Sequence, residues 1–511
     1  MEQDEKAQDT HISSQEVQVD EDVRLDARIW ATFSSLAVLS FTISLEAAVL
    51  VPVLPSIAVA LHGTTSGTLW AGSSYLLTAA VFQPLIGALS EEFGRQKLLL
   101  GSIAFFTIGV LICSLSHHMP EFLVGRSIQG IGGGGILALV NIIPTGMVSL
   151  KQRPIAIMMN QVGYVVGTIL GPVLGGIIGQ YTTWRWVFYV NFPLCGIVLP
   201  VVVLVMKLDD GSPRSLREQM RRLDYIGAIL FLASTCSFLI GIIWGGEQYP
   251  WSSWQTLLPI ICGIVGLITA LLWEAYGASA PFLCLSLFSI PSANAVYAST
   301  FLQGFLLFCQ LYYLPVYFEG VRGFSTGSTG LTFLPITGAM IVGSLASGAL
   351  MHETTRLRWI VIIGWVLATI STSLLFLLDR NTPLYRWVLI FLTIGVGHGM
   401  LVISLNYALQ VLAKKHQSGH AMSMYTFLRA SGMCIGIAAG SSLLQNALNS
   451  HLGSRSGSGS ALMDITNLSA HPELPPALLV SFRYTCAVMT GVSGAGLLLS
   501  FIFAVSSDIR K

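Results

Sequence analysis

Three charged or ionisable side chains break into stretches that otherwise carry almost no polar chemistry: Glu46, Arg126 and Arg429, joined by one imidazole, His398. Glu46 sits mid-span in an apolar run at 30–54, with no residue of opposite charge near it in sequence. An ionised carboxylate at the centre of a bilayer costs at least ~2.5–3.5 kcal/mol. Such a group spends part of its time neutral and exchanges a proton when its surroundings change. Arg126 stands in the first turns after Glu121, where it can pair with an acid or with backbone carbonyls, or snorkel to the interface. His398, in G-V-G-H-G-M, reads either as a hydrogen-bonded packing residue or as a proton relay. Arg429 reads evenly as structural pairing or pocket lining. This is chemistry for holding and passing protons. A membrane enzyme would gather His, Asp or Ser at one depth, and the sequence shows no such group, so no catalytic activity and no metal are expected. Gly132–Gly135 is no phosphate cradle, because it lies inside an apolar run and lacks the following Lys-Ser/Thr.

The elements that must position these residues are membrane spans. Hydrophobic residues make up 53% of the 511 and charged residues 10%, with a mean hydropathy of +0.71; soluble domains carry about 25% charge. A net charge of +1, without a basic patch interleaved with aromatics, gives no reason to expect a nucleic-acid partner. The eight cysteines are scattered singly and read as small buried hydrophobes. Apolar runs long enough for ~30 Å of hydrocarbon occur near 30–54, 67–89, 98–116, 121–144, 155–179, 185–206, 225–245, 255–276, 291–317, 328–351, 358–378, 385–412, 421–447 and 479–505. The expected fold is therefore an all-α polytopic membrane protein with fourteen transmembrane helices.

Charge tests the orientation. With the N-terminus in the cytosol, eighteen of the 26 Lys and Arg fall in inner segments and five in outer ones; Arg126, Arg185 and Arg429 lie within or at the edge of spans. That bias follows the positive-inside rule and places both termini in the cytosol. It does not separate fourteen spans from twelve; the two runs at 225–245 and 255–276 do. The sequon Asn467-Leu468-Ser469 falls in an outer Gly/Ser-rich loop, where glycosylation of Asn467 is expected.

A charged island, Gly87 to Lys97, joins the second and third runs. It aligns without gaps with Gly348–Arg358: G-A-L-S-E-E-F-G-R-Q-K against G-A-L-M-H-E-T-T-R-L-R. A parallel repeat of six spans follows. The expected organisation is a disordered tail at 1–28, a six-helix bundle at 29–206, a linker with two extra spans at 207–290, a second bundle at 291–505 and a short tail at 506–511. The fifth spans echo each other too. Gly163, Gly167, Gly171, Gly175 and Gly179 recur every four residues, as do Gly432, Gly436 and Gly440. That spacing makes a flat seam for another helix.

These residues carry a resemblance. Gly87–Lys97 resembles the loop motif of the major facilitator superfamily. Arg126, Gln129 and Gly130 in F-L-V-G-R-S-I-Q-G-I-G resemble its fourth-span motif. Gly163 and Gly167, with Gly171-Pro172 and Gly175-Gly176, resemble the fifth-span motif of its antiporters. Trp184-Arg185-Trp186 with Phe188, Asn191 and Pro193 resembles the fourteen-span drug:proton antiporter subfamily. So do Leu311–Phe318 and the following R-G-F-S, in a form similar to fungal members. The likeness covers roughly 30–505. It departs at Glu91, where the loop motif usually has Asp, at Gln96 within Gly94-Arg95-Gln96-Lys97, and at Glu46, where the first-span motif usually has Asp.

The resemblance implies a major facilitator fold of two six-helix bundles plus two helices. It also implies proton coupling or substrate binding through Glu46, Arg126 and Gln129, and antiport favoured by the glycine seam with a bend at Pro172. Gly87, Glu91, Gly94, Arg95 and Arg356 read as a cytosolic gate in which carboxylate and guanidinium pair in one facing state and part in the other. Asn160, Gln161, Tyr164, Phe308, Tyr312 and Tyr313, with His398 and Arg429, read as lining of a cavity of mixed polarity. The expected activity is proton-coupled export of drugs, toxins or secondary metabolites from a monomer in the plasma membrane, with the proton gradient in place of a cofactor. The alternative is an importer or vacuolar transporter of siderophores or amino acids.

Overall fold

The computed structural model describes residues 25–50, 53–63, 65–206, 208, 215–221, 223–246, 248–278, 282, 283, 285–324, 326–353, 357–414, 417–452 and 474–508. Among these, fourteen helices are long and apolar enough to cross a bilayer: α1 (Ala27–Val49), α2 (Trp70–Phe93), α3 (Arg95–Leu115), α4 (Met119–Met147), α5 (Arg153–Tyr181), α6 (Trp186–Val205), α7 (Tyr225–Trp244), α8 (Trp254–Tyr276), α9 (Pro291–Val321), α10 (Ser328–Met351), α11 (Leu357–Leu377), α12 (Leu384–Leu412), α13 (Ser418–Leu448) and α14 (Pro475–Phe503). Helices suit this setting because each satisfies its own backbone hydrogen bonds where no water can. Each expected apolar run became one of these helices. Arg356 and Asn467 lie outside the described residues.

Two six-helix bundles, α1–α6 and α9–α14, are built on the same contacts. The α5 seam lies on α1: a Cβ added at Gly163 would strike the Ala37 carbonyl oxygen, and one at Gly167 the Phe41 carbonyl oxygen. The α13 seam lies on α9 in the same way, Gly432 against the Phe301 carbonyl and Gly436 against the Phe305 carbonyl. Helix α4 is wedged between α2 and α3. Gly134 abuts the backbone of Ala79, and Gly132 abuts the backbone amide of Phe106. Helix α12 repeats this between α10 and α11, with Gly399 at the Met340 carbonyl and Gly397 2.9 Å from the Ala368 nitrogen as a Cβ would see it. Small residues at these positions let backbones meet where lipid offers no hydrophobic driving force.

The shared contacts fix which residues correspond. Nine residues beyond Ala37 lies Glu46, and nine beyond Phe301 lies Gln310. Three residues before the first seam glycine lie Asn160 in one half and Arg429 in the other.

The extra helices α7 and α8 pack on each other, with Gly263 facing the Phe238 backbone. Helix α7 bridges the bundles. Its Trp244 meets Trp70 of α2 edge-on at 6.3 Å, and its Phe231 meets Phe427 of α13 at 5.3 Å. Just past α7, the Gly245 carbonyl accepts from Ser442 at 3.2 Å. The apolar side chains Ile261, Val265, Ile268 and Leu272 of α8 are exposed, as a lipid-facing helix requires.

Candidate functional site

Helix α1 ends at Val49, earlier than the run at 30–54 suggests, and Pro55 opens a separate short helix, Leu54–Ala60. Glu46 therefore lies in the last turn of α1 rather than mid-span. Arg126 lies in the second turn of α4. Both belong to the end of the bundle opposite the Gly94 turn, which joins α2 to α3 at φ +93, a left-handed conformation that glycine takes without strain.

Glu46 and Arg126, 80 residues apart in sequence, form a buried ion pair. Arg126 Nη1 lies 2.7 Å from Glu46 Oε1, and the side chains are 0% and 1% exposed. The arginine is held on every side. Nη1 also donates to Gln129 Oε1 at 2.8 Å, Nε donates to the Ala71 carbonyl at 3.0 Å, and the guanidinium lies 4.5 Å from the centre of the Tyr75 ring. The other carboxylate oxygen, Glu46 Oε2, accepts from Asn191 Nδ2 of α6. Four helices thus meet on one charge pair. The arginine is no interfacial snorkeller: it takes both partners open to it, an acid and a carbonyl. Around the pair, Gln129 Nε2, Tyr75 Oη and Asn191 Oδ1 are buried without hydrogen-bond partners.

Asn191 explains part of the motif at the start of α6. Arg185 donates to the Ser114 and Ser116 carbonyls at 3.0 and 3.1 Å, closing the end of α3, while its guanidinium stacks on Trp184. Trp184, Phe122 and Phe188 pack edge to face. This clamp sets the register of α6 that delivers Asn191 to Glu46.

The second bundle holds a different cluster. His398 is fully buried, with Nε2 3.1 Å from Gln310 Oε1 and Nδ1 3.4 Å from Gln303 Nε2. Gln310 donates onward to Thr372 Oγ1 at 2.9 Å. Gln303 Oε1 accepts from Arg429 Nε at 3.3 Å. His398 is thus packed inside the bundle rather than lining a cavity. Tyr313 also turns inward, donating to the Ile437 carbonyl at 2.7 Å against Gly440. Arg429 does reach the other bundle, lying 5.7 Å from the centre of the Tyr164 ring. Phe308 and Tyr312 stack at 6.3 Å, with Tyr312 40% exposed. Asn160 donates to the Val140 carbonyl at 3.1 Å.

The bundles close on each other at the Gly94 end, again by a repeated contact. Gly87 of α2 presses on Ser423 of α13, and Gly348 of α10 lies 3.2 Å from Met158 Sδ of α5 as a Cβ would see it. Asn406 of α12 donates to Asn141 of α4 at 2.8 Å. Glu91 meets an imidazole; Arg356, the guanidinium of the other half in the expected gate, lies outside the described residues. His420 Nδ1 lies 3.1 Å from Glu91 Oε1, without the geometry of a hydrogen bond. Arg95 donates within its own bundle, to the Ile142 carbonyl at 3.4 Å.

The sequence matches the Major Facilitator Superfamily over residues 36–437. The chain belongs to that superfamily. Curated major facilitator relatives include MFS transporter L2 of a Phoma species, 37% identical over 83% of this chain and 71% of that protein. The MFS-type efflux pump LUC4 of a Fusarium species is 31% identical over 90% and 81%. Efflux pump FUS6 of Gibberella moniliformis is 30% identical over 94% and 88%. Among solved structures, the human organic anion transporter MFSD10 (TETRAN) superposes with a TM-score of 0.60 at 16% identity, covering 94% of this chain and all of that one. The proton:xylose symporter XylE gives 0.59 at 14%, covering 93% and 95%. At such identities the superpositions establish the fold alone. As a major facilitator protein the chain is a multi-pass membrane transporter and not an enzyme.

Sequence reasoning named Glu46, Arg126 and Gln129 but not their meeting with Asn191, which it saw only as part of a motif. It missed Tyr75, Asn141, Asn406 and His420. A polar residue inside an apolar run was the available signal for the first three. His420, in the first turn of α13 and just outside the apolar run at 421–447, gave none.

Proposed function

We propose that this transporter exports small organic compounds in exchange for protons, and that Glu46 is the proton-carrying group. The Glu46–Arg126 pair is the observation that carries the reading. With Glu46 ionised, Arg126 ties α1, α2 and α4 together at one end of the first bundle. Protonation removes the charge that holds the guanidinium. The tie loosens, and the bundles at 29–206 and 291–505 rock about the space between them. Release of the proton to the other side resets it. One charge moving down 100 mV supplies ~2.3 kcal/mol, to which a pH difference adds.

The names of the Fusarium and Gibberella relatives support export, and the glycine seam against α1 supports antiport. On this reading the Gly94 end is cytosolic, so the contacts of Gly87, Glu91 and Asn141 close the cytosolic gate. Both termini are cytosolic, and a single chain works in the plasma membrane.

The test is flux in proteoliposomes loaded with a pH-sensitive dye. Wild type moves protons when an organic substrate is presented on the opposite side, and Glu46→Gln does not. Unchanged coupled flux in Glu46→Gln sinks the assignment. Direction is read in cells: a deletion strain accumulates the compound if the protein exports it, and loses uptake if it imports.

A further inference from the structure

Arg429 is a charge that the first bundle's ion pair leaves unexplained. It lies inside a membrane-spanning helix, and among the described residues no carboxylate is within ion-pair distance of it. Its Nε donates to one amide oxygen, Gln303 Oε1, at 3.3 Å, and its guanidinium lies 5.7 Å from the centre of the Tyr164 ring. Its Nη2 is buried without a hydrogen-bond partner. Arg126, its counterpart in the first bundle by charge, has an acid, an amide and a carbonyl. A partly buried cation inside a membrane span without an anion is costly, and its persistence calls for a function.

The position says what that function is. Tyr164 belongs to α5 and Arg429 to α13, so the contact crosses between the bundles, where an alternating-access transporter holds its cargo. One turn from Tyr164 on the same face of α5 is Gln161, whose Nε2 is likewise buried and unpartnered. Two donors without acceptors thus stand by Tyr164, one against its ring and one a helical turn away. On α9, Phe308 packs against the cluster that holds Val165 of α5 and stacks on Tyr312 at 6.3 Å.

We propose that Arg429 and Gln161 form a subsite for an anionic oxygen of the cargo, a carboxylate or enolate, borne on an aromatic or apolar body that rests on Tyr164 and Tyr312. A guanidinium presents parallel donors that fit such a group bidentately. This rests on the export reading for its cargo, but not on proton coupling, so binding alone tests it.

The experiment measures equilibrium binding to the purified full-length protein in nanodiscs by tryptophan fluorescence. The probes are three matched pairs: naphthoate and naphthamide, anthracene carboxylate and its carboxamide, coumarin carboxylate and its carboxamide. Wild type binds the carboxylates about ten-fold or more tighter than the amides. Arg429→Gln brings the ratio close to one, and Arg429→Lys keeps part of it. Should Arg429→Gln fail to fold, Gln161→Leu decides, with a reduced ratio expected. No carboxylate preference in wild type across the pairs overturns the subsite, as does a preference that survives Arg429→Gln. Preference for the carboxylates without proton-linked flux would leave the subsite standing and remove the coupling instead.

Discussion

Glu46 and Gln310 hold the same place in two bundles built on the same backbone contacts, yet one is ionisable and the other is not. The first answers to an arginine and the second to a histidine. Glutamate and glutamine have nearly the same shape, so the difference lies in charge and in the capacity to carry a proton. The seams show that packing was duplicated with the fold: α5 on α1 and α13 on α9 use glycines four apart against matching carbonyls. The chemistry was not. One half holds an ion pair whose strength a proton can switch. The other holds a chain of amides and a hydroxyl around an imidazole, whose hydrogen bonds fix helices without any change of charge, and ends at an arginine facing the partner bundle.

The largest effect should come from breaking the ion pair on one side. Glu46→Leu leaves Arg126 buried without its acid and should cost about 3–5 kcal/mol, read as a fall in Tm of the purified protein. Adding Arg126→Met to it should recover most of the loss; a double variant as unstable as the single would mean the two are not one unit. The seams should respond alike. Gly163→Ala and Gly432→Ala each drive a methyl into a carbonyl oxygen, at about 1–3 kcal/mol. Clearly unequal losses would break the claim that the halves share one packing. In the second bundle, His398→Leu strands the Gln303 and Gln310 amides and should cost about 1–3 kcal/mol for the groups left unpaired, with His398→Gln milder. If His398→Leu instead abolished proton-linked flux while leaving Tm unchanged, the contrast between a switching half and a structural half would fall. The smallest effect belongs to the contact of Glu91 with His420. Glu91 and His420 are both partly exposed, so His420→Gln should change stability by less than ~1 kcal/mol. Its expression is faster hydrogen exchange at the Gly94 ends of α2 and α13.

Several of these residues were visible beforehand for a physical reason. Glu46, Arg126 and His398 announce themselves because polar groups are costly among apolar ones. Which side chains they meet is not legible in the same way. Tyr313 read as cavity lining, but the rotation of α9 turns it inward onto the Ile437 carbonyl, and His398 takes the hydrogen-bonded packing reading that the sequence left open beside the others. Glu91 lies beside a histidine from α13 that the sequence did not flag, while Arg356, the other half's gate guanidinium, lies outside the described residues.

The sequence by itself determined the fourteen spans, the repeat and the glycine seams, because apolar length and a period of four are properties of one segment at a time. Only the tertiary structure decided that Glu46 meets Arg126 from 80 residues away and Asn191 from 145, and that Arg429 meets no acid among the described residues. Those outcomes depend on how each helix is rotated and slid against its neighbours. That register is set by the summed packing of all of them and is written in no single stretch.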